Sequence, residues 1–295
     1  MKSSQKIAYL QLHIAVVLYG LTAILGDLIS LSAVNLVWWR VLITSLSLLF
    51  FVGWGRRILT LDRKVVIGYI GIGFLVALHW ITFYGAIKFA NASITLAAMA
   101  TTSLFTAFIE PVIMKRPFYR LELILGLLII PPMMMIASDL DITMMQGLGI
   151  GLISAFLASL FATLNKKMVG EADAYQISFL EMSSAFFFIS ILLLVVPTGN
   201  MMPTSQDWIY LLVLSLGCTT LAYVISLKAL RYVSAFDANL VINLEPVYGI
   251  LLAVVILNEH TQMRPSFYLG IVLVMLIVFA HPYLKKKFLP QHSDT

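Results

Sequence analysis

The sequence predicts an all-α integral membrane protein of ten transmembrane helices, arranged as two inverted five-helix repeats. Three observations carry that prediction. Of 295 residues, 61% are hydrophobic and 11% charged, with a mean hydropathy of +0.97, so there is too little polar surface to cover a soluble globule of this size. The apolar residues fall into ten runs of roughly 18–23, the length a helix needs to cross a bilayer. Residues 86–105 align with 229–248 at a shift of 143, placing Lys88 on Arg231, Phe89 on Tyr232 and Ala92 on Ala235. Because each repeat holds an odd number of helices, the second must enter the membrane from the opposite face. The repeats are expected at 1–142 and 143–295.

The first run, 8–27, exceeds the apolar core of a signal peptide and reads as an uncleaved helix. The others are expected at 33–53, 65–87, 92–113, 120–137, 146–165, 174–196, 208–227, 236–257 and 265–284. The loops between them are short, so no separate soluble domain is expected. Of the 19 Lys and Arg residues, 16 fall at the amino terminus, in the even-numbered loops or in the carboxyl tail, which sets both termini in the cytoplasm. The net charge of +5 is therefore a topology signal, not a nucleic-acid one. Gly68, Gly71 and Gly73, like Gly147, Gly149 and Gly151, are small-residue tracks suited to close helix packing. The single cysteine, Cys218, excludes a disulfide within the chain and a cysteine-based metal site. No phosphate-binding loop is present, and no cofactor or metal is expected.

Charged residues within the apolar runs mark the candidate site, because an ionisable group inside a bilayer is tolerated when it faces protein or a water-filled cavity. Arg40, in Trp38-Trp39-Arg40, offers a planar fork for a carboxylate or phosphate, with the tryptophans as an apolar or cation-π surface. The alternative is that it snorkels outward to Asp27 or a headgroup. Glu181 occupies the matching place in the seventh run. Glu245 stands near the middle of the ninth, followed by Pro246, which should bend the helix, and near Asn239 and Asn243. Removal from water favours the protonated form of an acid, the property a proton carrier needs. Glu245 is thus the first candidate for proton coupling and Glu181 the second. His79 and Tyr84, with Tyr19 and Tyr248, are aromatic or polar candidates for lining a substrate pocket. Glu110 and Glu259 lie at helix ends, where pairing at the interface is expected.

The aromatic-glycine pair Tyr19-Gly20, Arg40, Glu245-Pro246-Val247, Leu257-Asn258-Glu259 and Gly270 together resemble the EamA family of the drug/metabolite transporter superfamily. The first half departs from that pattern, with Ser103 in place of a proline and Arg116 in place of an acid. The resemblance implies export of amino acids or related small metabolites across a bacterial inner membrane by alternating access. The partners it implies are a small-molecule substrate, lipid and, through the buried acids, protons. Two other classes compete: a membrane-embedded enzyme acting on a lipid-linked substrate, and a receptor or assembly protein. The enzyme would need clustered acids for a metal ion, and the nearest pair is Asp139 and Asp141 in a loop. The sequence does not speak to oligomeric state.

Overall fold

The structure, a computed structural model, describes residues 3–53, 61–138, 140–197, 199–229, 232–233, 241–242, 244–259 and 264–288. Within them the chain is all-helical, with no strand. The helices are α1 (Ser3–Leu28), α2 (Ala33–Gly53), α3 (Arg63–Phe89), α4 (Ala92–Met99), α5 (Thr102–Met114), α6 (Arg120–Leu127) and α7 (Ile130–Ser138). There follow α8 (Ile142–Met168), α9 (Ala174–Leu192) and α10 (Ser205–Leu212), which runs through a π-helical stretch, Val213–Leu221, into α11 (Ala222–Ala229). The last two are α12 (Glu245–Ile256) and α13 (Pro265–Phe288).

Side-chain oxygens start several of these helices by accepting from otherwise unbonded first-turn amides. Asp62 does so for Lys64, Asp141 for Met144 and Asp173 for Tyr175 and Gln176. Seven helical stretches are long and apolar enough to cross a membrane, and shorter apolar helices lie at Ile124–Ser138, Glu245–Ile256 and Pro265–Ile277. Every expected run overlaps one of these ten. Large apolar side chains such as Leu46, Phe50, Ile67, Phe187 and Val255 face outward, as a lipid-facing surface requires.

Three helices depart from the regular form. The fourth run breaks at Ala100 and Thr101, where Thr101 N–H bonds the Ala98 carbonyl three residues back. The fifth divides between α6 and α7 because Pro131 and Pro132 have no N–H to return to Leu127 and Leu128. The eighth contains the nine-residue π stretch, a rare form usually confined to one turn. The bend expected at Pro246 takes another form: α12 begins at Glu245, and Pro246 stands in its first turn, where an N–H would lack a partner anyway.

α3 packs on α8 and α9, and α2 on α9 and the π stretch. α1 lies on α11 and α12, α5 on α8, α4 on α12 and α7 on α13. Exchanging each run with the one five places later leaves this set of main partners unchanged. The backbone follows the same register. Thr101, ahead of α5, has φ −77° and ψ −4°, and Leu244, ahead of α12, has φ −78° and ψ −13°. The non-glycine residues with positive φ among the described residues are Lys115 (53°) and Asn258 (56°). Both pairs lie one sequence shift of 143 apart.

Close crossings rest on glycine where a Cβ would collide. At Gly73 it would come within 2.3 Å of the Glu181 carbonyl, and at Gly147 within 2.5 Å of Ala90 Cβ. Gly68 and Gly151 are crowded too, whereas Gly71 and Gly149 face open space. The two tracks are thus packing surfaces along one edge each.

Candidate functional site

Arg40 is turned into the bundle and is 3% exposed. Its Nε donates to Thr219 Oγ1 at 2.8 Å and its Nη1 to the Tyr84 hydroxyl at 2.6 Å. The guanidinium carbon lies 3.7 Å from the centre of the Trp80 ring, so the plane is stacked as well as bonded. No carboxylate forms an ion pair with it among the described residues, and Nη2 has no hydrogen-bond partner among them. The outward pairing with Asp27 is not adopted.

Each contact has a local cause. Tyr84 is held flat against α1 because residue 26 is glycine: a Cβ there would lie 2.3 Å from its ring. Thr219 is aimed by the π stretch, in which its hydroxyl donates to the Leu214 carbonyl five residues back at 2.7 Å. Thr220 does the same to Ser215 at 3.0 Å, and Thr44 on α2 also donates to the Ser215 carbonyl. The wider turn therefore returns its displaced carbonyls to side-chain donors.

Glu245 comes within electrostatic range of Arg40 through another close crossing. A Cβ at Gly20 would lie 3.0 Å from Gly249 N and 3.4 Å from the Glu245 carbonyl, so α1 and α12 touch backbone to backbone. Glu245 is half-buried and makes no hydrogen bond among the described residues, and its charge acts on Arg40 and on Tyr19. Tyr19 in turn meets the Ser226 side chain. Cys218 is buried within range of Arg40.

Glu181 belongs to a second cluster, and no ion pair joins it to Arg40. Fully buried, it accepts at Oε2 from the Tyr223 hydroxyl (2.5 Å) and from Asn165 Nδ2 (3.3 Å). Asn165 Nδ2 also donates to the Tyr223 oxygen at 2.9 Å.

The remaining candidates are placed elsewhere. Trp38 Nε1 donates to Ser190 Oγ and Trp39 Nε1 to the Met201 carbonyl, and Trp39 packs edge-on against Trp208. The ring over the guanidinium is Trp80, one helix away, which corrects the expectation that its own neighbours would supply that surface. His79 lies in range of Arg40 but is tied to Ser154 through Nδ1. Since the Ser154 carbonyl can only accept, Nδ1 carries the proton and Nε2 is left as an acceptor. Tyr248 packs with Ala8, Leu12 and Val16, away from the arginine. Asn239 and Asn243 lie outside the described residues. Glu110 pairs with Lys166 and Arg116. Glu259 accepts the amides of Ala92 (3.0 Å) and Ser93 (2.9 Å), capping α4 from another helix's end.

Residues 145–280 match the family model described as the EamA-like transporter family. Over that stretch the chain is similar to the EamA-like transporter family. A solved crystal structure 13% identical in sequence superposes on it with a TM-score of 0.69, covering 96% of this chain and 99% of that one. At that identity the likeness concerns fold alone, and it extends over both halves. No curated protein sequence matches the chain. Within the EamA-like unit, Glu181, Thr219, Tyr223 and Glu245 all lie in the matched stretch, whereas Tyr19, Arg40, Trp80 and Tyr84 come from the half before it. Thr219, Tyr223 and Asn165 were not marked by sequence reasoning. Thr219-Thr220 beside Gly217 in an apolar run is the one signal that could have pointed to the π stretch.

Proposed function

We propose that this EamA-like protein is a secondary transporter that exports a small metabolite bearing an anionic group, such as an amino acid, by alternating access between two inverted five-helix repeats. The observation that carries the reading is Arg40: a buried cation with no ion-paired acid among the described residues and one guanidinium nitrogen without a partner. A buried charge left uncompensated is costly, and a substrate carboxylate would supply the missing partner. Glu245, without a hydrogen-bond partner among the described residues and in electrostatic range of Arg40, is the group we assign to coupling with protons. The repeat is supported by the paired backbone conformations at Thr101 and Leu244 and at Lys115 and Asn258, and by the exchange symmetry of the helix pairings. The reading places the protein in a bacterial inner membrane with both termini in the cytoplasm, on the basic side.

The test is uptake of a radiolabelled amino-acid mixture into liposomes containing the purified protein, with and without an imposed pH gradient. Protein-dependent accumulation driven by the gradient is expected. No protein-dependent flux of any amino acid would overturn the substrate class, and flux indifferent to the gradient would overturn the coupling.

A further inference from the structure

The described buried carboxylates differ in what their oxygens face. Asp207 accepts from Ser30 N–H and O–H and from Thr204 N–H and O–H. Glu259 accepts two backbone amides, and Glu110 faces Lys166 and Arg116. All three are surrounded by donors, as an ionised carboxylate requires. Glu181 is not. Its Oε2 takes both available donors, while Oε1 is buried with no hydrogen-bond partner among the described residues. In the side chain bonded to it, Asn165 Oδ1 is likewise buried and unpartnered. Two unpartnered acceptors thus belong to one hydrogen-bonded cluster. Turning the Asn165 amide over would leave its oxygen and Glu181 Oε2 with the single Tyr223 proton between them, so one acceptor would still lack a donor.

We propose that Glu181 holds a proton on Oε1 in this conformation, donated toward Asn165 Oδ1, so that Glu181, Asn165 and Tyr223 form a proton-binding site separate from the Arg40 site. One added proton gives both unpartnered acceptors what they lack and removes a charge from a place where no cation forms an ion pair with it. The charged and titratable groups facing it support this. From α11 there is Tyr223, from α8 the neutral Asn165, and Tyr19 on α1 reaches it through Tyr223. From α2, Arg40 bonds Tyr84 and Thr219 and forms no ion pair with Glu181, and from α3 the crossing residue is Gly73. Asn165 stands three residues from the end of α8, about 5 Å along the axis, next to Lys166. The site is therefore close to the basic end of the bundle. When that end opens, Oε1 gives its proton to solvent water, and Oε2 keeps the Tyr223 bond. The proposal rests on the proton-coupled reading above and adds to Glu245 a second acid that holds a proton.

Infrared spectroscopy of the protein in liposomes at neutral pH, in buffer alone, tests this without any substrate. A protonated-carboxyl C=O band is expected in the wild type, lost in Glu181→Gln, retained in Glu245→Gln and shifted to higher frequency in Asn165→Ala, where its hydrogen-bond acceptor is gone. Glutamine at 181 keeps an acceptor for Tyr223 and gains a donor for Asn165, so folding is expected to survive. Should it not, the Asn165→Ala shift decides alone. A wild type with no such band, or one whose band persists in Glu181→Gln or is unmoved in Asn165→Ala, would overturn the proposal. Because the readout needs no flux, a failure of the transport reading would leave these outcomes unaffected.

Discussion

With Nε on Thr219, Nη1 on Tyr84 and its plane against Trp80, the Arg40 guanidinium is held at three points and has one nitrogen left over. Lysine keeps the charge but has neither the fork nor a plane to stack. A substrate carboxylate would lose one charged hydrogen bond of the fork, worth about 1.5–3 kcal/mol, so Arg40→Lys should weaken substrate binding by roughly tenfold or more. Its thermal melting should stay close to wild type, since a point charge can still reach the Tyr84 oxygen. Wild-type flux in this variant would remove Arg40 from the substrate site. Trp80→Leu separates the ring from the charge, and we expect a smaller loss in the same assay. Arg40, Glu181 and Glu245 could be singled out in the sequence because a charge in an apolar run has few tolerated explanations. Thr219, Tyr223 and Asn165 could not, since a threonine, a tyrosine or an asparagine there reads as an ordinary packing residue. Their role comes from which helices the fold lays side by side.

The same division holds for elements. Apolar run length placed the seven long helices and overlaps the three shorter ones, but the π stretch at Val213–Leu221 and the interruption at Ala100 and Thr101 contain no proline, and Thr219-Thr220 beside Gly217 is the one local hint of the former. Both are sustained by hydroxyl donors to backbone carbonyls, including Thr101 to Ala98 and Thr219 to Leu214. Pro246 was legible as a breaker, and the structure uses it to begin a helix instead of bending one. The α1–α12 crossing depends on two glycines whose fit could only be known once those helices met. A Cβ on Gly249 would lie 2.6 Å from Leu96 Cδ1 and 3.3 Å from the Gly20 carbonyl. Gly249→Val should therefore force the helices apart, costing about 1–3 kcal/mol of stability. It should also draw the Glu245 backbone away from Tyr19. A drop in melting temperature together with lost flux is expected, and a variant with both properties unchanged would show that this crossing does not position Glu245.

Across the whole molecule, bonds between loops gather two ends of unlike character. One holds Ser30 on Asp207, Lys88 on the Asp27 and Ile29 carbonyls, and Glu259 on α4. The other holds Lys166 and Arg116 on Glu110, and Lys228 on Tyr175. If the basic end is cytoplasmic, a cysteine at exposed Asp141 should label from outside intact cells and one at Lys166 should not. Asp207 sits in the same outer region but is 2% exposed and bonded to two other residues, so it is no labelling site. The outer end is fastened by second-half carboxylates gripping first-half amides. In the repeat register Glu259 corresponds to Arg116, a cation that the positive end of a helix would repel. The two ends therefore cannot be fastened alike, and the outer one should be the firmer. Glu259→Gln leaves one acceptor oxygen for two amides and removes the charge that suits a helix start. The loss is about 1 kcal/mol, roughly a fivefold shift toward the outward-open form. Cys218, the chain's single cysteine and buried beside Arg40, reports that shift directly. A membrane-impermeant thiol reagent added outside should modify it about five times faster in Glu259→Gln than in the wild type, and the same reagent inside should act more slowly. Equal outside rates in a folded Glu259→Gln protein would mean that this carboxylate caps α4 without holding the outer end shut.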